Sequence, residues 1–416
     1  FLGPTDYSPT TYTYGEREFR TRFFAASLPH FFPELEQILV FCTPIVQEHP
    51  NLAALQERLG DLLQMVPIPA GHSEAELWQT FDALTETIAE ADTVIFDITN
   101  SFRSIPLLVF LAAAYLRAVR QVNVQGVIYG AFEARDRESN RTPVFDLTPF
   151  VGLLDWLTAC TRFVEIGDGR PLAALLRERM PPGLTMRDDL YARAVGRDLR
   201  HAASAIENIS LALSVTRPLE TMEAAGQLDA ALSQARDAVS ARARPFALLA
   251  DQVRDSYAPF SLAAPLDRAN WPANLRLQLA MIRWYLDKER IVQAATLARE
   301  WLVSLVAYRV GAVSLVDFDG ERFPIEGALN NESRRRAGKE VNRPSPRDAD
   351  VAALPALNDL IAVWGKMTSL RNDIAHVGMN EQPQSASTLC RKMTAIYPEL
   401  DDLAQILLRD SDQEET

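Results

Sequence analysis

Thr93-Val94-Ile95-Phe96-Asp97-Ile98-Thr99-Asn100-Ser101-Phe102-Arg103-Ser104-Ile105-Pro106 passes from a β-branched and aromatic run into a polar loop, and then into a helix start. The run 93–98 is short and almost wholly apolar. It reads as a strand covered on both faces, because such a strand has no polar side to display. Pro106 suits an early helical position, where a missing N–H costs nothing. Residues 105–119 then continue as an apolar helix. The same alternation recurs outward from this unit. Residues 37–42 form a second buried strand that ends at Thr43-Pro44, and 122–129 form another. Residues 51–65 have helical spacing, and Ser73-Glu74-Ala75-Glu76 resembles a capping box that opens a helix through Ile88. Residues 12–23 alternate aromatic and polar side chains, as a hairpin does. Phe1-Leu2-Gly3-Pro4-Thr5 reads as the end of a first strand, its earlier residues missing, followed by a loop. Strands alternating with helices predict an α/β, Rossmann-like domain over residues 1–165, with a mostly parallel sheet wound on both faces.

In such sheets a ligand sits beyond the carboxyl ends of the strands. The residues expected there are Gly3, Thr5 and Tyr7 after the first strand and Thr43 after the second. Asp97, Thr99, Asn100, Ser101, Phe102 and Arg103 follow the third. Small hydroxyls and amides at a helix mouth, with free N–H groups and partial positive charge, make a seat for phosphate. Arg103 would grip the same phosphate. The alternative is an ordinary strand-to-helix turn in which Asp97 caps backbone amides.

Beyond about residue 165 the pattern changes to helical spacing. An amphipathic helix over 147–164 leaves the sheet domain, and Gly167-Asp168-Gly169-Arg170-Pro171 reads as a turn. Helices are expected over 186–213, 220–242, 266–287, 291–310, 352–370 and 385–408, with 313–318 as an ambiguous strand. Residues 166–416 are therefore expected to be all-α. Residues 331–347 hold Arg334, Arg335, Arg336, Lys339, Arg343 and Arg347, broken by Gly338, Pro344 and Pro346. They read as a mobile basic loop, either solvated or able to capture RNA phosphates. Arg197 and His201 read as surface or interdomain groups.

Near the C-terminus stands Arg371-Asn372-Asp373-Ile374-Ala375-His376. Arg neutralises phosphate through a planar fork of donors, and His moves a proton near neutral pH. RNA cleavage without a metal needs that pair. On a helix, positions five apart lie about 140° apart around the axis, so a second copy would complete the site more easily than one chain.

Composition bounds these readings. The chain has 416 residues, 48% of them hydrophobic, enough for two or three domains with sizeable cores. A net charge of −13 argues against nucleic-acid binding by the whole surface, so any such site is local. Cys42, Cys160 and Cys390 are scattered, and no histidines pair at zinc spacing. A reducing cytoplasm is expected, with no disulfide framework, no metal site and no cofactor. No signal peptide is read, and no apolar run is long enough to span a membrane.

Residues 94–106 resemble the D-x-T-H-G-F-R-S-x-P signature of CRISPR-associated proteins that carry a CARF domain. Phe1-Leu2-Gly3, Thr10-Thr11-Tyr12, Glu74-Ala75-Glu76-Leu77-Trp78, Tyr129-Gly130-Ala131-Phe132-Glu133-Ala134 and Pro143-Val144-Phe145-Asp146-Leu147-Thr148-Pro149-Phe150 also look like that family. The resemblance runs over about the first 165 residues. In these proteins a helical HEPN domain follows, with Arg, a polar residue and a later His as its motif. Arg371, Asn372 and His376 fit that pattern. The resemblance implies a type III CRISPR ancillary ribonuclease switched on by cyclic oligoadenylate, with cyclic tetra-adenylate as the expected activator. It also implies a homodimer or higher oligomer, single-stranded RNA as substrate, and products with a 2′,3′-cyclic phosphate and a 5′-hydroxyl. Asn100 and Ser101 depart from the signature, standing where the family has His and Gly. That adds a side chain and removes a titratable group. Two other readings differ in class. One is a sensor that recruits a partner and cuts nothing. The other is cleavage of single-stranded DNA, which attack by a 2′-hydroxyl would forbid.

Overall fold

The computed structural model describes residues 1–100, 104–379 and 381–409. The chain divides into two compact units, residues 1–155 and 156–416. Among the described residues the first has seven strands: β1 (Thr10–Tyr14), β2 (Arg17–Thr21), β3 (Ile38–Cys42), β4 (Leu63–Pro67), β5 (Thr93–Asp97), β6 (Asn123–Gly130) and β7 (Arg141–Asp146). The longer helices there are α1 (Pro50–Leu59), α2 (Glu74–Thr87) and α3 (Ile105–Arg120). Ser73 caps α2 by accepting the Glu76 N–H, and the Glu76 carboxylate reaches back to the N–H groups of Gly71 and His72. This is the capping arrangement expected from the sequence, with the return bond shifted upstream of Ser73.

The sheet is mixed rather than mostly parallel. Five strands run in the order β2-β1-β7-β6-β5, while β3 and β4 form a separate parallel pair. β1 pairs with β7 and β5 with β6 in parallel, but β1–β2 and β6–β7 are antiparallel. The reason is local. β2 and β7 each return after a short connection, too short for the crossover that parallel strands require. β7 was not read as a strand. β4 falls where helical spacing was expected to continue to Met65; the helix stops at Leu59, and a single 3₁₀ turn over Gly60–Leu62 leads into the strand. Phe1-Leu2-Gly3, read as a strand end, joins no ladder; the Phe1 ring lies 5.3 Å from that of Phe41.

Alternation along the strands builds two cores. Val40 and Ile128 join the core of Tyr12, Phe23, Phe24, Phe31 and Leu55. Their neighbours Phe41 and Val127 join the opposite one, with Leu84, Val109, Ala112 and Leu116. Successive side chains point to opposite faces, so both faces of the strands are covered. Between β3 and β5 lies a slot of ≈140 Å3, lined by Phe1 and residues of both strands.

The second unit is helical. The helix expected over 147–164 is two pieces, Thr148–Val151, which belongs to the first unit, and α4 (Leu153–Ile166). Then come α5 (Arg170–Glu178), α6 (Leu190–Ser214), α7 (Pro218–Gln234), α8 (Trp271–Asp287), α9 (Ile291–Arg309), α10 (Phe323–Arg336), α11 (Leu357–Ala375) and α12 (Ala386–Leu407). The Gly167–Pro171 turn is held from within. Asp168 accepts a two-pronged bond from Arg170, at 2.7 and 3.0 Å, and one from Arg162. The Arg170 contact pulls the Asp168 carboxyl down to about 2. A Cβ at Gly169 would meet Ile206 Cγ2 at 2.5 Å and Phe163, so no larger residue fits there.

α9 lies at the centre. Every residue from Trp301 to Ala307 is buried, as a helix walled in on all sides requires. Residues 313–318, read as an ambiguous strand, form no strand; a short π-helical turn, Phe318–Arg322, begins at the last of them instead.

Candidate functional site

The carboxyl ends of the strands make one cleft. Gly3, Thr5, Tyr7, Thr43, Thr99 and Asn100 line a cavity of ≈280 Å3, with Phe1, Leu2, Pro4, Phe41 and Ile68. These six came from three separate stretches of sequence, and the fold brings them together. Ser101, Phe102 and Arg103 lie outside the described residues.

Its walls are held by a chain of hydrogen bonds. Thr99 N–H donates to Asp97 Oδ1 at 2.8 Å, while Thr99 Oγ1 accepts the Gly130 N–H at 2.8 Å. Gly130 has no room for a side chain: a Cβ would sit 2.8 Å from Phe24 and 2.9 Å from Tyr12. On the opposite wall, Asn51 Nδ2 donates to the carbonyls of Gly3 and Thr5, at 3.2 and 2.8 Å. The Tyr7 hydroxyl accepts the Gly3 N–H at 2.8 Å. Each bond satisfies a backbone group that a loop at a strand end leaves open.

Asp97 lines the slot between β3 and β5 rather than the cleft. It keeps some exposed surface, but its carboxylate is enclosed by protein, and that desolvation raises its pKa. Asp97 therefore supports Thr99 from behind. Burial likewise raises the Tyr7 hydroxyl. Asn51 was not expected at the site. It sits in the first turn of α1 and is buried, and its one sequence signal is a polar residue at a position with apolar helical neighbours.

The second candidate site lies on α11. Leu360, Val363, Trp364, Met367 and Leu370 are buried and seat the helix on α9 and α12. Trp364 donates its indole N–H to Asn330 at 3.0 Å, and Arg299 lies over its ring at 5.3 Å. Arg371, Asn372 and His376 fall on the other side and are exposed, at the last turn and cap of the helix. The chain reverses immediately afterwards, with Val377 and Gly378 both left-handed at φ 48° and 71°. For a β-branched residue that backbone is strained. Asp373, 9% exposed, points inward and accepts the Gln384 N–H at 3.1 Å, tying the returning loop to the helix end.

The basic stretch 331–347 differs from the expected mobile loop. Residues 331–336 complete α10, and most of the arginines are paired. Arg335 meets Glu332 and Asp348, Arg336 meets Glu332, and Arg347 meets Glu321 and Asp350. Buried Asn331 donates to the Arg343 carbonyl and to Asp348, pinning the segment from inside. Glu332 lies within the stretch and Glu321, Asp348 and Asp350 flank it, and together they neutralise Arg335, Arg336 and Arg347, which weakens the expected positive field. Arg197 pairs with Asp198, and His201 is exposed. Among the described residues no three His, Cys, Asp or Glu side chains converge as a metal set, and no helix is long and apolar enough to cross a membrane.

No family model matches the chain. The chain is 31% identical over 112 residues to the CRISPR-associated protein MJ1674 of Methanocaldococcus jannaschii. That alignment covers 26% of this chain and 18% of the archaeal protein.

Proposed function

We propose that this protein is a cyclic oligoadenylate-activated, metal-independent endoribonuclease acting on single-stranded RNA in type III CRISPR defence, with cyclic tetra-adenylate as its activator. The observation that carries this reading is the single cleft formed by Gly3, Thr5, Tyr7, Thr43, Thr99 and Asn100. Its hydroxyl, amide and backbone groups suit phosphate and ribose oxygens. The similarity to a CRISPR-associated protein supports a CRISPR-related role, and the exposed Arg371, Asn372 and His376 support the nuclease half.

The chemistry follows from those side chains. The RNA 2′-hydroxyl attacks the adjacent phosphorus and the 5′-oxygen leaves. His376 moves the proton. Arg371 stabilises the extra negative charge of the transition state, and Asn372 orients its neighbours. Arg371 and His376 lie about 140° apart on the helix, so copies of both from two chains would face one phosphate. A two-fold dimer also offers identical clefts to a ring with two-fold symmetry.

The test uses labelled single-stranded RNA in chelator, with and without cyclic tetra-adenylate. Activator-dependent products ending in a 2′,3′-cyclic phosphate are expected. Arg371→Ala and His376→Ala should remove them, and a 2′-deoxy residue at the cut position should block them. Cleavage that survives both substitutions, or binding of the activator with no RNA turnover, defeats the nuclease assignment.

A further inference from the structure

The helical unit holds a polar cavity of ≈320 Å3, and none of Arg371, Asn372 and His376 lines it. α8 supplies Asn274 and Gln278 to its walls, and α9 supplies Thr296, Glu300 and Ser304. Residues four apart share a helix face, so both helices turn polar side chains toward one space. Burying such groups costs stability unless they are paired. Most of them are. Fully buried Asn274 donates to the Pro265 carbonyl at 2.7 Å and accepts the Gln278 amide N–H at 2.6 Å. Arg322 donates to Ser304 Oγ, the Leu315 carbonyl and Glu300 Oε2, at 2.8, 2.7 and 2.8 Å. Gln278 is the exception. It is 6% exposed, and among the described residues none donates to its carbonyl oxygen. Two backbone features fall on the same walls. Arg322 ends the π-helical turn Phe318–Arg322, a form frequent at functional sites. Thr216 stands at φ 58°, which a β-branched residue adopts only under strain.

Charge and bonding pattern select the occupant. Glu300 pairs with Arg299 and Arg322, and Arg299 also pairs with Glu326, so two cations meet two anions. The other charged lining residue, Arg217, is exposed. The interior therefore has no net charge with which to hold an ion. Its open atoms are acceptors, namely Gln278 Oε1 and the remaining lone pairs of the Glu300 carboxylate. Leu219, Leu297 and Leu315 add apolar walls. From these observations we propose that the cavity binds an uncharged heterocycle bearing amino N–H donors, of nucleobase or nucleoside size. Its N–H groups go to Gln278 and Glu300, and its ring lies against the leucines, the mix of apolar lining and few convergent polar groups that small-molecule sites use.

Titration calorimetry of the full chain with adenosine tests the site. A dissociation constant of about 0.1 mM or tighter is expected. Purine riboside, which lacks the amino group, should bind about tenfold more weakly, and Gln278→Leu should weaken adenosine by about the same factor. Thr296→Trp, at an exposed lining position, should fill the space and abolish binding with unchanged circular dichroism. That variant decides the matter should Gln278→Leu fail to fold. Asn51→Ala, in the sheet unit, should leave binding to the cavity as in wild type. Competition separates two sources of such a base. A 2′-deoxy oligoadenylate that displaces adenosine identifies a base within a nucleic acid, and one that does not identifies a free nucleoside. No binding at about 1 mM, equal affinity for purine riboside, or binding that survives Thr296→Trp and is lost in Asn51→Ala would overturn the proposal. No readout uses RNA cleavage or cyclic tetra-adenylate, so a failed sensor or nuclease assignment is distinguishable from a failed cavity.

Discussion

The cleft in the sheet unit and the Arg371–His376 turn in the helical unit hold their polar groups in opposite ways. In and behind the cleft, side chains such as Asn51, Asp97 and Thr99 are spent on backbone groups, and the walls are fixed within one chain. On α11 the helix backbone fixes position, while Arg371, Asn372 and His376 stay exposed. The first arrangement is fixed in advance, which would lower the cost of binding the ligand proposed above. The second is a set of exposed reagents with one inward anchor, Asp373. Damage in the two regions should therefore differ in kind: the cleft should lose stability and affinity together, and the helix end should lose rate alone.

The largest effect is expected from His376→Ala, a fall of about 10²–10⁴-fold in activator-dependent RNA cleavage, as loss of a proton-transfer group produces. The melting temperature should not move, because the side chain is exposed. A large drop in melting temperature would break the contrast. Asn51→Ala comes next. It leaves the Gly3 and Thr5 carbonyls without their donor, at a cost of about 1–3 kcal/mol. Titration calorimetry should show cyclic tetra-adenylate bound about tenfold more weakly. Unchanged affinity with lowered stability would mean that the loop is only structural.

Asp373→Ala tests whether the anchor matters to the reagents it sits among. Releasing the Gln384 N–H should cost about 1–2 kcal/mol. RNA turnover should fall while activator affinity stays as in wild type, and hydrogen exchange should quicken at residues 381–384. The smallest effect concerns pH. Desolvation raises the Asp97 pKa above its unfolded value. The native state then holds the proton longer, so this group's contribution is full at low pH. It is lost as pH rises from the ordinary carboxylate range, about 4, through the raised native value. Asp97→Asn keeps an acceptor for Thr99 and should flatten that fall in a thermal series across pH. A slope that persists would assign it to another group.

How much of this was legible in sequence varies with the range of the interactions. β3, β5, β6 and the β1–β2 hairpin were readable because each carries its own apolar run or alternation. β4 was hidden behind α1, whose helical spacing gives way within one turn. β7 was hidden by Pro143, a residue poor in strands generally; its place comes from partners on both sides, β1 and β6. The basic stretch misled for a related reason. Its charges are local, but Glu321, which neutralises Arg347, is 26 residues away in the chain.

By itself the sequence determined a sheet unit followed by a helical one, the short list of polar residues at strand ends, and the Arg–Asn–His set near the C-terminus. Those follow from side-chain period and residue chemistry, which act over a few positions. Only tertiary structure decided that the sheet is mixed, that Asn51 braces the cleft, and that Asp97 stands behind it. Each of these depends on which surfaces meet across long sequence separations, and burial, unlike periodicity, is a property of the packed chain.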